Sequence, residues 1–292
     1  MNRLLCGSAL LLSAAVPGCR SPAPGADWVA AFGYAEAEVH PVAILEFGCP
    51  GVPVRIGSTR LVLPFDTGNM VGLSVSSERF DQLGLEAGAR YDRVDSAGEP
   101  IATLRVADAV EVSVLGQDLG PTPVYELDHP SLPGLAGPLL LEGGHFTLDY
   151  GSRRIGVGHG PLPDSIAGFE SVPLVRSSRH PRLILVRGTI EGRAALFELD
   201  TGKSRTVLHP DLAAELSLER GPRGVAIHDL RIGSLSFEVP SAKEVDQSAI
   251  DPSLPEPILA GVGSDLLSRF VWTVDYDAGL LWIPGPPAGS MR

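Results

Sequence analysis

A chain of 292 residues, 44% hydrophobic and 20% charged, can bury one large core or two of ordinary size, and this composition argues against wholesale disorder. Its formal charge of −12, with lysine only at Lys203 and Lys243, excludes a basic footprint for nucleic acid and disfavours docking on an anionic membrane by charge. Frequent Gly (34) and Pro (26) and scarce aromatics (6%) favour many short strands joined by turns over long helices.

Residues 1–18 read as an export signal: Arg3, then an apolar run from Leu4 to Val16 that is too short to span a bilayer as a mature helix. The run ends at Val16-Pro17-Gly18-Cys19, which resembles a bacterial lipobox and makes Cys19 the expected lipidation site. A plain secretory signal with an incidental cysteine is the alternative. Residues 19–27 lack an apolar period and read as a flexible tether. The expected address is therefore the periplasm or outer membrane, with a lipid anchor as the link to the membrane. With Cys6 and Cys19 in this leading segment, Cys49 is left alone in the body, so no internal disulfide forms there. Cys49 has no basic or histidine neighbour in sequence and reads as packing.

Beyond the tether the chain repeats itself. Leu63-Pro64-Phe65-Asp66-Thr67-Gly68-Asn69 is followed 134 positions later (200 − 66) by Phe197-Glu198-Leu199-Asp200-Thr201-Gly202-Lys203. Each acid follows a predicted hairpin: Val52–Ile56 turning at Gly57-Ser58, and Val186–Ile190 turning at Glu191-Gly192. After each comes a short amphipathic helix, Ser77 to Leu85 and Pro210 to Leu218. A second block, Gly137 to Tyr150, lies without gaps on Gly263 to Tyr276 (263 − 137 = 126), and each copy leads into a last strand, at Arg154–Val157 and Leu280–Ile283. The expected organisation is a first lobe at 28–158, a connection at 159–170, a second lobe at 171–285 and a tail at 286–292. The first lobe is longer, and Ser96-Ala97-Gly98-Glu99 reads as the tip of an extra hairpin, a candidate flap, with Tyr91 on its flank.

Two acids in matched strand-turn-strand settings carry a chemical implication. Gly permits a close backbone approach, and Thr offers a hydroxyl that can fix neighbouring backbone. If the two turns meet at a pseudo-two-fold axis, Asp66 and Asp200 become neighbours that cannot both ionise cheaply, and they share a proton. Water between them would meet a base on one side and an acid on the other.

The doubled Asp-Thr-Gly, each copy followed by a helix and then a Gly-helix-strand block, resembles the pepsin and retropepsin superfamily of aspartic proteases, and more narrowly the single-chain bilobal retropepsin-like proteins of bacterial envelopes. The resemblance implies a mostly β fold of two pseudo-symmetric lobes with short helices and a peptide cleft between them. It implies Asp66 and Asp200 as the catalytic dyad, Thr67 and Thr201 locking the two loops together, and Gly68 and Gly202 completing them. An extended peptide or protein substrate, a monomer, no cofactor and no metal follow from the same likeness. This chain departs from the family pattern after each motif, where Asn69 and Lys203 replace the usual Ala, Ser or Thr. Asn69 retains the capacity to donate a hydrogen bond to a carboxylate. Lys203 has two open destinations: the dyad, where it would favour ionisation, or Glu198 and solvent. Pro64 and Glu198 stand where the family has an apolar residue. The loop-closing segment is clear at Gly261-Val262-Gly263 and thin at Leu135-Ala136-Gly137. The rival to an active enzyme is a chain that keeps fold and cleft without turnover and serves as a peptide-binding scaffold.

Other features read as structure. Asp149-Tyr150 and Asp275-Tyr276 repeat between strands and suggest turns. The seven histidines, four of them before proline, form no His-x-x-x-His pair and read as loop residues. Gly156-Val157-Gly158-His159-Gly160 is read as a strand exit, since no helix pattern follows it.

Overall fold

The computed structural model describes residues 27–94, 100–129, 131–141, 144–248 and 250–286. The export signal, Cys19 and the tether as far as residue 26 lie outside the described residues. The chain is mostly β, with three sheets and short helices. An eight-stranded sheet is built from strands between residues 43 and 136, and a seven-stranded sheet from strands between 185 and 262. The latter closes into a barrel where Thr189 pairs with Arg231 and Ile190 with Leu230.

Local chemistry explains the elements that lead to the acids. Strands Pro50–Ile56 and Thr59–Pro64 form one hairpin, and Leu185–Ile190 and Arg193–Leu199 form its counterpart. The second turns at Glu191-Gly192, with φ of 49° and 79°, a two-residue turn whose twist suits the flanking strands. The helix Ser77–Gln82 starts where the Ser76 hydroxyl accepts from the Arg79 amide. The helix Pro210–Glu215 starts with proline, whose missing N–H costs nothing in a first turn.

The third sheet joins the halves. It has six strands, three from each half, and its centre is the antiparallel pair His145–Asp149 and Trp272–Asp275. Thr147 faces Thr273, which is its own equivalent in the repeat (273 − 147 = 126), and their hydroxyls lie 2.6 Å apart. The Tyr34 hydroxyl bonds to Thr147 at 2.9 Å. Aromatic packing continues from this sheet toward the first acid turn: Phe146 meets Trp272 at 5.6 Å and Phe65 at 5.4 Å between ring centroids, with all three side chains fully buried. Each such burial stabilises by roughly 1.5–3 kcal/mol. Beyond the sheet, the helix Trp28–Ala31 is capped by Asp27, and Trp28 packs with Phe32, Tyr34, Ile166 and Trp282 in a smaller core.

The repeated Asp-Tyr pairs are turns: Asp149 accepts from the Ser152 amide at 3.1 Å and Asp275 from the Ala278 amide at 2.9 Å. The histidines are not all in loops. His40, His145 and His228 lie in the strands Val39–Pro41, His145–Asp149 and Gly224–Ile232. An extended residue before proline suits a strand as well as a loop, and the His145 ring packs on Tyr34 at 5.1 Å.

Candidate active site

Each apolar strand delivers its acid into a turn of the same construction. The Gly68 amide donates to Asp66 Oδ1 at 2.9 Å, and the Gly202 amide to Asp200 Oδ1 at 2.8 Å. The Asn69 amide donates to the Asp66 carbonyl and the Lys203 amide to the Asp200 carbonyl. Behind each turn a later segment closes the loop: the Asp66 amide donates to the Ala136 carbonyl at 2.8 Å and the Asp200 amide to the Val262 carbonyl at 3.0 Å. Leu135-Ala136-Gly137, thin as a motif, therefore occupies the place that Gly261-Val262-Gly263 occupies in the other half.

The two turns are bolted to each other. The Thr67 amide donates to Thr201 Oγ1 at 3.0 Å, and the Thr201 amide to Thr67 Oγ1 at the same distance. Thr67 Oγ1 donates to the Leu199 carbonyl at 2.9 Å, and Thr201 Oγ1 to the Phe65 carbonyl. Both threonines are buried, so every one of these bonds replaces one that water cannot supply. Glycine is required on both sides of this contact. A Cβ on Gly68 would lie 2.6 Å from Asp200 Oδ2, and one on Gly202 would lie 2.5 Å from Asp66 Oδ1.

Each carboxyl therefore lies against the glycine that follows the other acid, which brings Asp66 and Asp200 within electrostatic reach of one another. Burial, and then the charge of Asp200, push the Asp66 carboxyl up to about 8, against weaker opposition from the Gly68 amide and Lys203. Two carboxyls this close resist double ionisation, which favours retention of one proton by the pair.

The residues after the glycines differ. Asn69 does not reach a carboxylate: its amide nitrogen donates to the Gly72 carbonyl at 2.9 Å and its oxygen accepts from the Val71 amide, because a short side chain finds its own turn first. Lys203 takes both of its open destinations. Its ammonium donates to Glu198 Oε2 at 2.6 Å and also to Asp200 Oδ2. Glu198 is buried and accepts further from Gln247 Nε2 at 2.7 Å. Burial lifts the Glu198 carboxyl above its ordinary range, while Lys203 and Gln247 pull it back. Burial acts to lower the Lys203 ammonium, but the two carboxylates outweigh it and the net shift is upward. Pro64, the counterpart of Glu198, is buried at the end of its strand.

The flap tip, Ser96 to Glu99, lies outside the described residues. The strands on either side of it, Ala89–Val94 and Pro100–Val114, pair antiparallel. Tyr91 donates to the Glu126 carbonyl at 3.0 Å and packs edge-on against Tyr125 at 5.3 Å. Cys49 is fully buried with Sγ 3.2 Å from the Phe65 carbonyl, and burial pushes its thiol up, away from the thiolate. The sequence did not point to Gln247, Ser264 or Tyr150 as neighbours of the site. Ser264 Oγ donates to the Thr201 carbonyl at 2.9 Å and lies 3.4 Å from the Tyr150 hydroxyl. The repeat aligned Gly263-Ser264 with Gly137-Pro138 and so gave a signal for Ser264; Gln247 falls in no repeated block.

A groove of about 680 Å³ lined by Arg187, Thr189, Asp229 and Arg231 lies at the far end of the second hairpin, away from the acids. No family model matches this chain, and no curated protein matches it.

Proposed function

We propose that this chain is an aspartic endopeptidase of the retropepsin-like kind, with two pseudo-symmetric lobes, that hydrolyses an extended peptide by a water held between Asp66 and Asp200. The observation that carries this reading is the meeting of two like-built turns, each placing its acid against the glycine of the other and held in register by reciprocal threonine bonds. The ionised carboxyl takes a proton from the water as its oxygen attacks the amide carbon, and the protonated carboxyl donates to the carbonyl oxygen. Return of a proton to the amide nitrogen lets the C–N bond break, leaving an acid and an amine. The reaction needs no cofactor. A flap carried on the strands Ala89–Val94 and Pro100–Val114 would close over the bound peptide and exclude bulk water. Export and lipid anchoring through Cys19 belong to the same proposal.

One observation favours a second reading. The Lys203 ammonium occupies Asp200 Oδ2, which would suit a peptide-binding scaffold without turnover. Incubating the full chain with unfolded protein substrates from acidic to alkaline pH separates the two. Cleavage that is blocked by a transition-state mimic bearing a hydroxyl at the scissile position, and lost in Asp66→Asn and Asp200→Asn, supports the enzyme. Peptide binding without cleavage at any pH supports the scaffold, and turnover surviving in both variants removes the dyad.

A further inference from the structure

Three departures between the repeats fall in one place. Pro64 corresponds to Glu198, Asn69 to Lys203 and Leu135 to Gly261 (64 + 134, 69 + 134, 135 + 126). In the second half these residues touch. Glu198 pairs with Gly261 across parallel strands, Lys203 bonds to Glu198, and Gly261 leaves room for the Lys203 and Gln247 side chains. A Cβ on Gly261 would lie 3.1 Å from Lys203 Cδ and 2.7 Å from Gln247 Oε1. The first half has leucine at that position and no equivalent charged pair.

We infer that Lys203, Glu198 and Gln247 form a partly buried clamp that makes the two acids unequal, keeping the negative charge on Asp200 as the base and the proton on Asp66 as the acid. The chemical roles rest on the peptidase reading; the charge assignment does not. The ammonium contacts Asp200 directly, and Glu198 offsets its charge, so the clamp biases one carboxyl without stripping the pair of its proton. The other titratable groups that bear on the acids are Cys49 and Tyr150, and burial keeps both un-ionised. Lys203 is thus a positioning residue.

The test is carboxyl-carbon NMR titration of the full chain labelled at aspartate, with the two signals assigned through Asp66→Asn and Asp200→Asn. In the unaltered chain Asp200 is expected ionised and Asp66 protonated at neutral pH. Lys203→Met should raise the pH at which Asp200 takes up a proton by about one to three pH units, and Glu198→Gln should lower it. The double variant, which buries no lone charge, should remain above the unaltered chain because the ammonium is the nearer group, and it serves if Lys203→Met fails to fold. A proton found on Asp200 at neutral pH, or the two single variants moving the titration in the same direction, overturns the clamp. Peptide cleavage is measured on the same samples. Opposed shifts without cleavage keep the clamp and remove the peptidase; cleavage with an unmoved titration does the reverse.

Discussion

The turns at Asp66 and Asp200 share a backbone and differ in what surrounds it. Both have the glycine amide on the acid, the threonine crossing to the other turn and a later strand closing the loop. One then turns inward on itself through Asn69, and the other carries a partly buried ion pair through Lys203 and Glu198. The difference teaches that duplicated scaffolding can be kept while the charge at its centre is made one-sided. The shared part brings the acids together, and the unshared part decides how they divide a proton.

The comparison breaks most completely at the acids themselves. Asp66→Asn and Asp200→Asn should each cut peptide turnover by about 10²–10⁴-fold, measured on proteins shown to be folded by circular dichroism. Next in size is the cost of disturbing the one-sided charge. Lys203→Met strands Glu198 without its cation and should destabilise by about 3 kcal/mol or more in denaturant unfolding, with Lys203→Met/Glu198→Gln recovering much of the loss. If the two substitutions are merely additive, the ion pair has no structural weight. Thr67→Val removes an acceptor from the Thr201 amide and a donor from the Leu199 carbonyl, for an expected loss of about 1–3 kcal/mol, and Thr201→Val should match it if the crossing is reciprocal. Asn69→Ala, on the self-contained side, should cost only about 1 kcal/mol.

A pH series sharpens the same contrast. The folded chain holds the Asp66 proton up to about 8, whereas an ordinary aspartate loses it near 3.8. Between those values the folded state binds more protons than the unfolded one, so this group's contribution is full below about pH 3.8 and is lost as pH rises through about 8. The melting temperature of Asp66→Asn relative to the unaltered chain should therefore climb across that window and level off above it. A flat difference would mean that Asp66 is already ionised at neutral pH. Turnover should decline on the alkaline side in step with loss of the same proton.

Much of the scaffold was legible because it is local. Alternating apolar residues and the Glu191-Gly192 turn announced the second hairpin, Pro210 the start of a helix, and the two offsets of 134 and 126 the pairing of equivalent blocks. Asp66, Asp200, Thr67 and Thr201 were legible for the same reason, since each copy serves as evidence for the other. What stayed hidden depends on distant segments and on side-chain direction. The destination of Lys203 is set by the space at Gly261, 58 positions away (261 − 203), and by an acid five residues back. Gln247 joins the site from a loop with no repeated counterpart, and Asn69 chose its own turn over the carboxylate that its composition also suited.

The strand pair centred on Thr147 and Thr273 has a consequence for how the chain tolerates damage. Scission in the connecting stretch after Gly158 would separate the polypeptide into two fragments without parting them, because the ladder between His145–Asp149 and Trp272–Asp275 and the threonine crossings would still stitch one fragment to the other. A nicked molecule should travel as one body on a sizing column and come apart only in denaturant.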